Sequence, residues 1–319
     1  MFTPDVNAQL NLDHNPTRVK AFLTETFRYY TGLYARLWSA SKTENAAYPA
    51  VFFNGLNELD SQFMLVLSAC GPNDPEEAEK IRLVAHGLDR IFSLLQLQGA
   101  YDSNEFATRL YGISVEIRDK PTEIISQVFE KHLMLELTER RGVAVAQGFS
   151  YALFRPISLD RLNTRFTRYV FGRVERLLAD AMKVKMKQEI KDLVTLRGTK
   201  TGFHVEHILS RNDENMKLFE NDEERFDQER NRLGGVLLLK GKDNISSSNE
   251  AFSQKLKSYA NTLYWNETLR EDTYKSKLDF TAFVESKKLK FRHLSTFGPM
   301  ELEERQKLLF DLAELIWAI

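Results

Sequence analysis

The sequence predicts a mainly α-helical protein with two domains, a helical domain over residues 1–150 and a second helical domain over 151–319. Three observations support this prediction. Long stretches repeat apolar residues every three or four positions. Acids and prolines precede several of these stretches, and glycines follow them, as at helix ends. After residue 200, the segments HVEH and LGGVLLL have the pattern of two short strands, so a small two-stranded unit is expected within the second domain.

The first domain is predicted to consist of helices. In the stretch PTRVKAFLTETFRYYTGLYARLW, apolar residues such as Val19, Phe22 and Leu33 recur at helical spacing. The segment that ends at Gly99 has the clearest boundaries, because a proline and several acids open it and the glycine closes it. The predicted helices span 16–38, 57–70, 73–99, 104–118 and 121–140.

The second domain is predicted to mix helices with irregular segments. Two glycines and Pro156 mark the stretch 142–162 as a hinge or boundary. We expect a long helix over 165–190, an insertion or surface helix over 213–229 and a buried strand over 233–239. A turn over 240–252 leads to further helices up to 319, with strand-like interruptions near 289–297.

Composition limits the classes of function. The net charge of −1 provides no overall basic field, so a nucleic-acid surface must be a local patch or come from a partner. A single cysteine, Cys70, excludes an intrachain disulfide and a cysteine-rich zinc site, and its apolar neighbours predict a buried hydrophobic residue. The N-terminus lacks signal-peptide features, and no apolar run is long enough to span a bilayer. We therefore expect a cytoplasmic protein with no membrane partner.

The motif HVEH, residues 204–207, is the strongest chemical signal. In a strand, alternate side chains point to opposite faces, so His204 and Glu206 share one face and His207 takes the other. A carboxylate can bind a divalent metal that polarises a phosphate, and a histidine can take a proton from water near neutral pH. By itself the motif also fits an ordinary polar strand end. Its spacing differs from the HExxH motif of zinc peptidases.

A basic segment leads into this motif. The cations are Lys183, Lys185, Lys187, Lys191, Arg197 and Lys200. They form either a solvated helix face or an edge that contacts the phosphates of a nucleic acid. Lys187, Arg197 and Lys200 are the candidates for DNA contacts.

Over about 160–270 the chain resembles the HNH (His-Me finger) nuclease domain at the C-terminal end of GmrSD-type modification-dependent restriction enzymes. That family has the pattern His-x-Glu-His-Ile-x-Pro, an insertion, Ile-Gly-Asn-Leu-Thr-Leu-Leu, and then Asn, Asn, Phe and Lys. Here the chain has HVEHILS, an insertion, LGGVLLL and DNISSSNEAFSQK, with Asn244, Asn249, Phe252 and Lys255 at matching spacing. The resemblance implies a ββα-metal unit with its motif core at 203–256, and the region 1–150 is only loosely similar.

The resemblance also implies roles for individual residues. His207 would be the general base and Glu206 a metal ligand. Asn244 would lie near a Mg²⁺ or Mn²⁺ ion, and His204 would flank it. Asn249 would support the turn, and Lys255 would contact a phosphate of the DNA.

Two positions depart from the family pattern, Ser210 in place of proline and Gly235 in place of asparagine. The family asparagine orients the base histidine, which a glycine cannot do, and Asn231 is the candidate substitute. One hypothesis is a metal-dependent DNA endonuclease or nickase in bacterial anti-phage defence. The alternative is a degenerate module that binds DNA or a partner without cutting. A nucleotide-dependent sensor, on another subunit or an absent N-terminal domain, is an expected partner.

Overall fold

A computed structural model describes residues 3–241 and 250–319. The chain divides into two compact units. The first unit consists of Met1–Phe92 with Asp102–Val145, and the second of Ser93–Tyr101 with Ala146–Ile319. The mainly α fold class is confirmed, since the described residues contain many helices and one two-stranded sheet. Within these residues, no helix is both long enough and apolar enough to cross a bilayer.

The first unit is helical, as predicted. Its helices are Pro4–Gln9, Pro16–Ala21, Arg28–Lys42, Pro49–Leu56, Ser61–Ala69, Ser103–Glu116 and Thr122–Arg141, with a π-helical turn at Phe22–Phe27. The helix Glu77–Gln96 begins here, and its residues from Ser93 onward belong to the second unit. Cys70 is 1% exposed, and burial raises the pKa of its thiol to about 12. It is therefore a packing residue at neutral pH, as expected.

The second unit carries the predicted motif. Its helices are Tyr151–Phe154, Thr164–Ala181, Ile190–Thr195, Asp213–Lys217, Glu223–Arg230, Phe252–Ser258, Tyr264–Glu267, Glu271–Ser276, Leu278–Ser286 and Pro299–Ile316, with 3₁₀ turns at Leu159–Arg161 and Leu233–Gly235. The helix predicted over 165–190 ends earlier, at Ala181, because Lys183 takes a left-handed conformation with φ 54°. The strand-like interruptions predicted near 289–297 are irregular, with no strand.

The second unit contains a two-stranded antiparallel sheet. Strand β1 spans Phe203–His207 and strand β2 spans Val236–Lys240. Their register places Glu206 opposite Leu237 and His207 opposite Val236. Side chains of β2 from Val236 to Leu239 are at most 1% exposed. Because both faces of β2 are covered, the sheet provides a rigid support for the polar residues of β1.

The C-terminal helix Pro299–Ile316 packs directly on the turn before β2. The side-chain Oε1 of Gln306 accepts a hydrogen bond from the backbone N–H of Gly234 at 2.7 Å. A Cβ at residue 234 would lie 2.5 Å from the backbone nitrogen of Gln306. Glycine is therefore required here for the close approach of the helix.

Candidate active site

His207 at the end of β1 is held by Asn231. The His207 Nε2 atom lies 2.7 Å from Oδ1 of Asn231. The amide nitrogen of Asn231 donates to the Asp160 carboxylate at 3.3 Å. The three side chains form a chain of hydrogen bonds that ends on the imidazole. The structure thus brings Asn231, the candidate substitute from the sequence, into hydrogen-bond contact with His207.

The direction of this chain defines which tautomer the neutral imidazole of His207 adopts. The Asp160 carboxylate only accepts, so the amide turns its NH₂ toward Asp160 and its oxygen toward His207. That oxygen needs a donor, which assigns the hydrogen to Nε2 and leaves Nδ1 with a free lone pair. Burial, followed by the charge of Arg230, lowers the pKa of His207 below its usual value. A neutral imidazole with an open Nδ1 is the form that a general base requires.

The backbone around Asn231 is anchored at several points. The Asn231 carbonyl accepts from the N–H of Leu159 at 2.9 Å. The next residue, Arg232, is 4% exposed. Its guanidinium donates to the Arg155 carbonyl at 3.0 Å, to Glu229 at 2.6 Å and to Glu303 at 2.7 Å. These contacts join the segment before β2 to the C-terminal helix, so the position of Asn231 does not depend on one hydrogen bond.

Gly235 cannot be exchanged for the asparagine of the family pattern without a shift of the backbone. A Cβ at residue 235 would lie 2.6 Å from the carbonyl oxygen of Arg230 and 3.3 Å from Leu302. The carbonyl of Gly235 also accepts from the N–H of Ile208 at 2.9 Å, which extends the pairing beyond β1. The amide that contacts His207 belongs instead to Asn231, at the end of the preceding helix.

Glu206 forms a buried ion pair with Lys255. The Lys255 ammonium donates to Oε1 of Glu206 at 2.6 Å and to the backbone carbonyl of His207 at 2.7 Å. Lys255 is 0% exposed and Glu206 is 7% exposed. The pair fastens the helix Phe252–Ser258 to β1 beside His207.

Burial is the main influence on both members of this pair. It raises the pKa of the Glu206 carboxyl and lowers that of the Lys255 ammonium, while their mutual attraction opposes both changes. The hydroxyl of Tyr259 is also buried near Glu206 and has no hydrogen-bond partner among the described residues. Glu206, Lys255 and the Tyr259 hydroxyl are therefore enclosed together, and Lys255 supplies the cation that neutralises Glu206.

The predicted metal ligands that the structure describes do not form a metal site by themselves. Glu206 is occupied by Lys255, and the His204 Nε2 atom lies 3.0 Å from the Gly198 carbonyl. The third predicted ligand, Asn244, lies outside the described residues. Over 3–241 and 250–319, no group of three or more histidine, cysteine or acidic side chains is placed to hold a metal.

The predicted DNA contacts have different surroundings. Arg197 and Lys200 are exposed in the loop before β1. Lys187 is paired with Glu267 and lies 4.9 Å from the ring centroid of Tyr264. Lys255 is enclosed, which differs from the predicted phosphate contact, because its ammonium is shared by Glu206 and the His207 carbonyl. Asn249 lies outside the described residues.

Two residues of the site were not anticipated from the sequence. Asp160 lies in the segment interpreted as a hinge, and Arg230 lies in the polar stretch before β2. The Arg230 side chain donates to the Leu209 carbonyl at 3.2 Å, which places a positive charge near His207. Neither residue belongs to a motif, and Asp160 is 71 positions from Asn231. The β-bridge between Ser158 and Arg232 brings these two segments together.

Comparison with known proteins supports a relationship for the part of the chain that carries this site. Residues 155–312 match the family model of the GmrSD restriction endonucleases, C-terminal domain. No curated protein and no solved structure matches the chain. The matched region contains Asp160, Glu206, His207, Asn231 and Lys255. Residues 155–312 of this chain are therefore similar to the C-terminal domain of GmrSD restriction endonucleases.

Proposed function

We propose that the chain is an HNH-type DNA endonuclease or nickase of bacterial anti-phage defence, in which His207 is the general base. The observation that carries the proposal is the hydrogen-bond chain from Asp160 through Asn231 to His207. The family match over 155–312 supports a nuclease of the restriction type. General-base catalysis needs a base that is both deprotonated and held in place. The chain of bonds holds the imidazole, and burial favours its deprotonated form by lowering the pKa of His207.

The proposed reaction is hydrolysis of a phosphodiester. The Nδ1 atom of His207 takes a proton from a water molecule, and the oxygen of that water attacks the phosphorus. The bond from phosphorus to the leaving sugar oxygen breaks, and that oxygen receives a proton from solvent. Arg230 places positive charge near His207, where a negatively charged phosphate must approach.

We also propose that cleavage requires Mg²⁺ or Mn²⁺ and that a nucleotide-dependent sensor, on a partner or another part of the protein, directs it to modified DNA. Both statements rest on the resemblance to the GmrSD type. Asn244, His204 and Glu206 remain the proposed metal ligands, and Asn249 remains a proposed DNA contact. The Glu206–Lys255 pair would have to open before Glu206 bound an ion.

The alternative function is DNA or partner binding without cleavage. The buried Glu206–Lys255 pair favours it, because an acid neutralised by an internal cation has no need of a metal ion. Under this alternative the site binds a nucleic acid or a partner subunit, and His207 has no chemical role. The two functions differ in whether a phosphodiester is broken.

A nicking assay separates them. The full chain and His207→Ala are incubated with supercoiled plasmid in Mg²⁺ or Mn²⁺, with EDTA as the parallel condition. The proposal predicts metal-dependent conversion to open circles by the wild type alone. Nicking by His207→Ala at the wild-type rate contradicts the assignment of the base. If plasmid is shifted in a native gel but never nicked, even with the sensor and nucleotide added, the binding function replaces the proposed one.

A further inference from the structure

Arg168, in the helix Thr164–Ala181, is a buried cation without a carboxylate partner among the described residues. It is 8% exposed. Its Nη1 donates to the carbonyl of Leu196 at 3.2 Å, and its Nε has no hydrogen-bond partner. Burial, followed by the charge of the neighbouring Arg197, lowers the pKa of the Arg168 guanidinium.

This arrangement is unfavourable unless an anion joins it. Buried charges in proteins are normally paired, and an unpaired one costs a large part of its hydration energy. Arg197 increases this cost, because it brings a like charge close to Arg168. A buried N–H without an acceptor calls for a specific explanation such as a water or an ion. An anion would neutralise both guanidinium groups and accept a hydrogen bond from the Nε–H of Arg168, which has no partner.

The neighbouring loop fits a phosphate of a nucleic acid. Leu196 and Arg197 are exposed, so Arg168 lies beneath a surface loop. In that loop Gly198 has φ 137°, a conformation that favours glycine. The Gly198 carbonyl lies 3.0 Å from Nε2 of His204 on β1, so the loop is fastened to the strand that carries His207.

Spacing along β1 relates this loop to the proposed base. His204 and His207 are three residues apart, which corresponds to ~10 Å of strand. A DNA strand carries one phosphate per ~3.4 Å of helix axis. A DNA strand that follows β1 would therefore place another of its phosphates near the loop while one lies at His207. Guanidinium groups suit this ligand, because their parallel N–H groups match two phosphate oxygens.

We propose that Arg168 and Arg197 form a phosphate-binding site for the DNA backbone, on the loop side of β1. The nucleic-acid identity of the ligand rests on the proposed function, whereas the anion site itself does not. Because Nε is closed to solvent, the loop 196–202 moves aside when the phosphate enters. Arg197 contributes from the surface and Arg168 from beneath it.

The test uses the full chain with His207→Ala, so that DNA is bound without being cut. Binding of a fluorescein-labelled duplex is followed by anisotropy over a range of NaCl concentrations in EDTA. We expect Arg168→Met and Arg197→Gln each to weaken binding roughly tenfold and to reduce the slope of log Kd against log salt by about one. The control Arg292→Gln removes an exposed arginine that pairs with Glu304, and it should leave Kd unchanged.

A second measurement tests the anion site without DNA. Inorganic phosphate, compared with chloride at equal ionic strength, should raise the Tm of wild type and leave that of Arg168→Met unchanged. If the Arg168→Met chain fails to fold, Arg168→Lys and Arg197→Gln replace it in both measurements. Unchanged Kd and unchanged phosphate response in folded variants overturn the site and indicate a buried water at Nε. If phosphate raises the Tm of wild type but not of the variants, while Kd for the duplex is unchanged, only the DNA role is overturned. A failure to nick plasmid bears only on the proposed function.

Discussion

The Nε2 atom of His207 lies 2.7 Å from Oδ1 of Asn231, although 24 positions separate the two residues in the sequence. In the proposed mechanism this contact supplies the orienting amide that Gly235 cannot. It also leaves the opposite ring nitrogen, Nδ1, as the acceptor for a proton. The catalytic proposal therefore depends on Asn231 as much as on His207.

Substitutions of Asn231 should change the pH dependence of cleavage. In the wild type, burial and Arg230 lower the pKa of His207, so the acid limb of kcat/KM should lie below the ~6.5 of an ordinary histidine. Asn231→Asp places a carboxylate beside the ring, which favours the imidazolium and moves this limb upward. Asn231→Ala should reduce the rate by roughly 10- to 100-fold, through loss of orientation. Identical acid limbs in wild type and Asn231→Asp would argue against His207 as the titrating group.

Loss of Lys255 should destabilise the second unit. Lys255→Met leaves the Glu206 carboxylate buried and unpaired, which costs about 3–5 kcal/mol. The double variant Glu206→Gln, Lys255→Met should recover most of that loss, because no charge remains to be neutralised. Urea denaturation measures the free energy of unfolding, with the exposed Lys287→Met as the control. A loss in Lys255→Met no larger than in the control would mean that the pair is not formed in solution.

Restoring the family asparagine at residue 235 should harm the protein. A side chain there meets the Arg230 carbonyl oxygen, so Gly235→Asn should lower stability by about 1–3 kcal/mol. A shift of Arg230 would also displace Asn231, the next residue, from His207, so nicking should slow. Thermal denaturation measures the loss of stability. The control is Gly71→Asn, because a Cβ at residue 71 meets nothing within 4 Å. Faster nicking by Gly235→Asn would show that Asn231 does not substitute for the family residue.

Glu175 should make stability depend on pH. It is 0% exposed, and its carboxylate accepts from the backbone N–H groups of Tyr264 at 2.8 Å and Trp265 at 3.0 Å. Burial raises its pKa to about 7. The folded state therefore holds the proton more tightly than the unfolded state, and stability falls as the pH rises from ~4.5 to ~7, by about 3 kcal/mol.

The matched variants for this prediction are Glu175→Gln and the exposed Glu285→Gln. Gln cannot ionise, so the difference in unfolding free energy between wild type and Glu175→Gln should change across this pH range. Glu285→Gln should follow the wild type. Parallel curves for wild type and Glu175→Gln would indicate that Glu175 titrates normally. Urea denaturation at a series of pH values measures the unfolding free energy of the wild type and of each variant.

The sequence predicted much of the fold because local signals agreed with it. Apolar spacing located most helices of the first unit but not Pro4–Gln9 or Pro49–Leu56. The patterns at 204–207 and 233–239 located both strands, although Leu233–Gly235 forms a 3₁₀ turn and β2 begins only at Val236. The end of the helix at Ala181 was missed because the basic residues after it are good helix formers, and only the left-handed Lys183 shows the break. Boundaries of this kind depend on tertiary packing.

The site was predicted only in part for a similar reason. Asn231 was a candidate since it precedes the strand, whereas Asp160 has no local signal and reaches the site through a β-bridge. Lys255 was placed at the site by the resemblance, but its enclosure between Glu206 and the His207 carbonyl is a property of the packed structure. Arg168 lies in an amphipathic helix, where sequence alone does not distinguish a buried arginine from an exposed one.

The most direct test compares the two histidines of β1. First-order rates of plasmid nicking are measured for wild type, His207→Ala and His204→Ala under the same metal conditions. Removal of the base should reduce the rate at least ~100-fold. His204→Ala, which loses a bond to the Gly198 carbonyl and one proposed metal ligand, should give a rate between those of wild type and His207→Ala. A His207→Ala rate equal to that of wild type would contradict the central claim that His207 activates the attacking water.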